Sequence, residues 1–128
     1  MALTLFNNIT EDLTKHEKEK IVPAMLHIFE FTNENARVTN TQIRKYLVNF
    51  GFNTSDVRVR KMVNYIRQLN LCSPAVLIGA SNGYFITKII TVVDAQIESM
   101  QGRVDSQAAV IDAMKAQREN LKRQYQKQ

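Results

Sequence analysis

Arg58, Arg60, Lys61 and Asn64 stand within seven consecutive residues. Their side chains share one chemistry: they donate hydrogen bonds to polyanions and to the edges of bases. On a helix over 55–70, Arg60, Lys61 and Asn64 share the side opposite an apolar stripe of Val59, Met62, Val63, Ile66 and Leu69. Val57 and Gln68 complete that outward side, with Arg58 and Tyr65 at its margin. Arg58, Arg60, Lys61 and Asn64 are therefore the base-reading candidates. Arg44, Lys45 and Arg67 suit phosphates, which position a protein without reporting sequence. Thr39, Ser55, Tyr65 and Asn82 could contribute hydroxyl or amide groups to the same task. The competing role for Arg58 or Arg60 is purely structural: pairing with Asp56 or with a glutamate of the first helix.

Charge is distributed to match. The chain carries +5 overall, yet residues 36–72 hold seven cations against the single acid Asp56, a local +6. Residues 1–35 oppose three lysines with six acids. A basic middle between acidic or near-neutral ends is what a localised polyanion-binding face needs, although a solvated helix face can be basic too. The reading requires the surface around Lys61 to point outward and to be free.

Other chemistries find little support. His16 and His27 do not share a helical face in the manner of a metal pair, and Cys72 is the only cysteine, which excludes an intrachain disulfide or a cysteine cage. Four scattered glycines form no phosphate loop, and Asp56 has no histidine or second carboxylate near it in sequence. The expectation is a binding protein with no cofactor and no metal, not an enzyme. No apolar run is long enough to cross a bilayer and the first residues lack a signal-peptide pattern, so a cytoplasmic location is expected.

The elements that must position these residues are legible. Thr14 with Glu17 fits a capping box, opening a helix that Pro23 should kink or split near Val22. Residues 37–39 suit a short strand, with Thr39 or Asn40 capping a helix whose buried side is Ile43, Tyr46, Leu47 and Phe50. Gly51 should end that helix and Thr54 or Ser55 should cap the next, which Pro74 prevents from continuing. A strand over 75–80, a turn at Ser81-Asn82-Gly83 and a return strand over 84–87 make a hairpin. Its tip offers only neutral groups. It could touch a phosphate through backbone amides, or complete the core through Val76, Ile78, Phe85 and Ile86.

From Ile90 onward the pattern changes. Ile90, Val93, Ile97, Met100, Val104, Gln107, Ile111, Met114, Arg118, Leu121 and Tyr125 alternate spacings of three and four, a heptad register with two polar positions. Self-association through Ile97, Met100, Val104, Ile111, Met114 and Leu121 is expected, a dimer first, against the alternative of a helix folded back on its own domain. Three parts follow: an N-terminal arm (1–13), a domain (14–88) and a C-terminal coiled-coil oligomerisation helix (89–128). The fold class is mainly α with a small β-hairpin, a winged helix-turn-helix followed by the long helix.

The stretch from Thr39 to Thr87, closing on Asn-Gly-Tyr-Phe-Ile-Thr, resembles the winged helix-turn-helix superfamily, in particular biotin-repressor-like DNA-binding domains. Val-Thr-Asn at 38–40, Asp-Val-Arg-Val-Arg-Lys at 56–61, Asn-Tyr-Ile-Arg at 64–67, Gly-Tyr at 83–84, Ile-Glu-Ser at 97–99 and Arg103 are similar to a group of small phage and prophage proteins. The resemblance implies the fold, and a bacterial host cytoplasm as location. The expected function is binding of double-stranded DNA as a homo-oligomer, in the manner of a phage transcriptional regulator. A two-fold coil would present two basic helices to half-sites about one duplex turn apart. The alternatives are an oligomeric assembly or virion-associated protein that uses the same domain to bind protein, or a DNA-replication accessory factor.

Overall fold

The structure is a computed structural model and describes residues 12–126. The chain divides into two units, Met1–Ile89 and Ile90–Gln128.

The first unit opens on the expected capping box. Glu17 N–H donates to Thr14 Oγ1 at 3.0 Å, and Thr14 N–H donates to Glu17 Oε1 at 2.9 Å. The helix then changes pitch instead of breaking. Glu17–Ile21 form a π-helical turn, in which Val22 N–H reaches the carbonyl of Glu17, and α1 (Val22–Phe29) follows with Pro23 in its first turn. Pro23 has no N–H to give the preceding turn, and the wider π-helical turn lies immediately before it. Leu13 is buried in the core and Asp12 bonds to the domain, so the last two residues of the expected arm belong to the folded unit. The remainder of that arm lies outside the described residues.

Thr39 caps α2 (Asn40–Asn49) in a second reciprocal box with Gln42. Ile43 and Leu47 are fully buried, but Tyr46 and Phe50 are each 48% exposed, contrary to the sequence expectation. The face of α2 turned to α1 and α3 is narrow, and both rings lie at its edge. Gly51 ends the helix at φ +87°, and Ser55 caps α3 (Asp56–Gln68) by accepting from Arg58 N–H at 3.2 Å. Val59, Met62, Val63 and Ile66 form the buried stripe, with Leu69 half-buried. Asn70, at φ +56°, turns the chain away before Pro74 is reached.

Strands β1 (Val76–Ala80) and β2 (Gly83–Thr87) pair antiparallel from Val76↔Thr87 to Ala80↔Gly83, leaving Ser81-Asn82 as the turn. Leu77, Ile78 and Phe85 are buried, while Val76 is 38% exposed and not the core residue expected. The short strand expected over 37–39 is a single bridge: Val38 and Tyr84 exchange N–H···O bonds of 2.9 and 2.7 Å. This bridge explains Gly83. At φ +121°, a Cβ there would sit 2.9 Å from the Val38 carbonyl oxygen.

The second unit is α4 (Ile90–Gln126), 37 residues with none buried. At 1.5 Å per residue it extends about 55 Å. Ile97, Met100, Val104, Ile111, Met114 and Leu121 are 41–60% exposed. No helix among the described residues is long and apolar enough to cross a membrane.

Candidate nucleic-acid interface

The capped α3 sorts its cations into those held by the fold and those left outward. Arg58 is held. Its Nε donates to Glu17 Oε2 at 2.9 Å and its Nη2 to Glu17 Oε1, and Nη2 also donates to the carbonyl of Asp12 at 2.9 Å. The Glu17 side chain is only 8% exposed and that of Arg58 30%. Glu17 therefore does two jobs: it closes the Thr14 capping box and receives a forked guanidinium. The hydrogen bonds from Arg58 hold the Glu17 carboxyl below its ordinary 4.5, and the same contact raises the Arg58 guanidinium. The structural role weighed for Arg58 is the one its geometry fits, and this residue is withdrawn from the base-reading set.

Lys61 is restrained more loosely. It pairs with the Asp12 carboxylate, both side chains being close to half exposed, and the Lys61 hydrogen bond lowers the Asp12 pKa. A surface pair of this kind is weak and opens readily. Arg60 and Asn64 are exposed, and among the described residues neither side chain has a hydrogen bond or ion pair. With Val57 and Gln68 they make the outward side of α3.

The phosphate candidates divide in the same way. Lys45 is exposed with no ionic partner among the described residues. Arg44 donates to the Thr54 carbonyl at 3.1 Å and pairs with Asp56 at 3.3 Å. Both cations line a hollow of about 250 Å³ with Thr41, Val48, Asn53 and Thr54. Thr39 and Ser55 use their hydroxyls as helix caps, and Tyr65 packs against the core half-buried. Arg67 reaches toward the hairpin, its Nη1 lying 3.2 Å from where a Cβ on Gly79 would be. Asn82 accepts from Arg37 Nη1, and that guanidinium also lies 4.5 Å from the centroid of the Phe85 ring. The hairpin tip is thus tied to Arg37, a residue the sequence pattern did not single out. Folding brings Glu17 and Asp12 to the basic stretch, so its +6 becomes +4.

The aromatic residues displaced from the core form a second feature. His27, Phe31, Arg37, Gln42, Tyr46 and Phe50 are among the residues lining a cavity of about 380 Å³. His27 meets Phe31 and Phe50 edge to face, with centroids 5.3 and 6.2 Å away, and Phe31 is 74% exposed. The i, i+4 spacing of Tyr46 and Phe50 reads as core in sequence, so only packing could separate them from it. His16 packs instead on Phe52 at 5.6 Å, and Cys72 is half-buried, its thiol pKa raised by burial. Among the described residues, no group of three His, Cys, Asp or Glu could hold a metal ion. No protein-family model, curated protein or solved structure matches the chain.

Proposed function

We propose that the domain is a winged helix-turn-helix and that the protein binds double-stranded DNA as a homo-oligomer joined through α4, acting as a regulator rather than an enzyme. One observation carries the reading: Arg60 and Asn64 stand outward on a capped helix, and neither side chain has a partner among the described residues. Their chemistry matches base edges. Lys45 and the easily released Lys61 supply phosphate contacts beside them. The set is smaller than the sequence suggested, so the mode is weighted toward phosphates with base reading confined to Arg60 and Asn64.

The test is a salt series of duplex binding by fluorescence anisotropy. A dimer neutralising about five phosphates should lose several hundredfold in affinity over a fourfold rise in salt. Arg60→Ala should weaken binding about tenfold and relax discrimination between duplex sequences, whereas Lys45→Ala should flatten the salt slope. A response flat in salt, or an Arg60→Ala variant that binds as wild type, would refute the reading.

A protein-binding assembly role is the second reading, favoured by the acidic clamps on Arg58 and Lys61 and by the exposed Phe31–Tyr46–Phe50 cavity. Early elution from heparin together with a large oligomeric mass would select it.

A further inference from the structure

α4 carries an apolar seam of which no residue is buried, and its charges say how that seam is covered. Residues 90–108 hold Asp94, Glu98 and Asp105 against Arg103, a net −2. Residues 110–126 hold Lys115, Arg118, Lys122 and Arg123 against Asp112 and Glu119, a net +2. We infer that α4 pairs antiparallel with α4 of a second copy, the acidic half of each helix lying along the basic half of the other. The inference rests on the reading that α4 is the oligomerisation element and goes beyond it by assigning orientation and register.

Take Ile90, Ile97, Val104, Ile111, Arg118 and Tyr125 as one core position of the heptad, and Val93, Met100, Gln107, Met114 and Leu121 as the other. In a parallel pair each residue of the first set meets its own copy, which drives Arg118 against Arg118 inside the seam. The flanking positions then offer Gln96 with Gln101, Arg103 with Ala108, Val110 with Lys115 and Gln117 with Lys122, none of them an opposite-charge pair. Like halves also lie side by side. In the antiparallel pair that overlaps the whole helix, the two sets alternate across the seam: Ile97 meets Leu121, Val104 meets Met114, Ile111 meets Gln107, and Tyr125 meets Val93. Arg118 faces Met100 and the opposite acidic half, where its aliphatic stem packs and its charge is compensated. Asp94 and Lys122 become flanking partners, twice per dimer. Ile97, Val104, Ile111, Met114, Leu121, Val93 and Tyr125 each find an apolar or amide neighbour, Met100 packs on the Arg118 stem, and the like-charge contact disappears.

The orientation changes what the protein can reach. The two copies of Ile90, where each helix joins its domain, come to lie about 55 Å apart instead of side by side. That span exceeds one duplex turn of about 34 Å, so the expectation of half-sites one turn apart gives way to two separated sites or two DNA segments.

Disulfide trapping decides it. In a Cys72→Ser background, chains carrying Val104→Cys and chains carrying Met114→Cys, distinguished by mass, are mixed, equilibrated and oxidised, alongside light-scattering mass and the duplex binding described above. The expected result is a dimer whose mixed disulfide exceeds either self-disulfide at least tenfold. Self-linkage of Val104→Cys would overturn the orientation, and a dimer that forms neither product would overturn the register. A chain that stays monomeric at 100 micromolar (on the order of the strongest practical loading) would overturn self-association; if that monomer still bound duplex in a salt-dependent way, the DNA-binding reading would stand without it.

Discussion

Replacing Arg58 with alanine separates a DNA-contacting role from a structural one, because the two predict opposite phenotypes. The substitution removes a forked guanidinium from a carboxylate that is nine-tenths buried, and leaves Glu17 with only its capping bond to Thr14. Losing a charge-assisted pair is worth about 1.5–3 kcal/mol when the survivor stays desolvated, and only 0–1 when both partners face water. Glu17 stays buried while Arg58 is 30% exposed, which places the cost in the lower half of the first range, at about 2 kcal/mol. For a domain of this size that is a drop of roughly 10 °C in thermal midpoint. Near-ultraviolet circular dichroism reads the domain selectively, since three of four tyrosines and all phenylalanines precede Ile90. Arg60→Ala, measured alongside, should move the midpoint by less than about 2 °C, as exposed substitutions do. The sign of the pH effect follows from Glu17. Its native pKa lies below 4.5, so its contribution is complete at neutral pH, begins to fade below about pH 4.5, and is lost as pH falls through the lowered native value. The stability gap between wild type and Glu17→Gln should therefore narrow in acid. An Arg58→Ala protein with an unshifted midpoint and abolished duplex binding would refute this reasoning and return Arg58 to the interface.

Three further outcomes are expected. Gly83→Ala should cost about 2–3 kcal/mol in chemical denaturation, since it adds a Cβ at positive φ against the Val38 carbonyl and breaks the bridge to Tyr84. Gly102→Ala should instead stabilise α4 by about 1 kcal/mol per chain, read as increased helicity by circular dichroism, because its Cβ meets nothing within 4 Å. Asp94→Lys should weaken the dimer about tenfold by sedimentation equilibrium, and adding Lys122→Asp to the same chain should restore it; a double variant weaker than the single one contradicts the antiparallel pairing.

The element order was legible in the residues because it depends on short-range chemistry. Reciprocal Thr14–Glu17 and Ser55 caps, a glycine at positive φ at 51 and the Asn-Gly turn act within a few residues, where sequence spacing is spatial proximity. The heptads of α4 were readable for the same reason: one helix sets their geometry by itself. The π-helical turn before Pro23 was less accessible, since the pattern announces that proline must be accommodated but not whether by a kink or a change of pitch. What periodicity could not resolve was how wide each buried stripe would be. Tyr46 and Phe50 have core spacing, yet the neighbours of α2 cover only Ile43 and Leu47.

By itself the sequence determined a capped, arginine-bearing helix, a hairpin behind it and a long amphipathic helix with opposite charge at its two ends. Only the tertiary structure decided which arginines remain available. Arg58 and Glu17 are 41 residues apart in the chain, and no local pattern encodes that a capping glutamate will also face α3. Periodicity fixes the side of a helix a residue occupies, but packing decides what stands opposite it. That is why Arg60, two residues further on, keeps an outward charge that Arg58 has spent on holding the domain together.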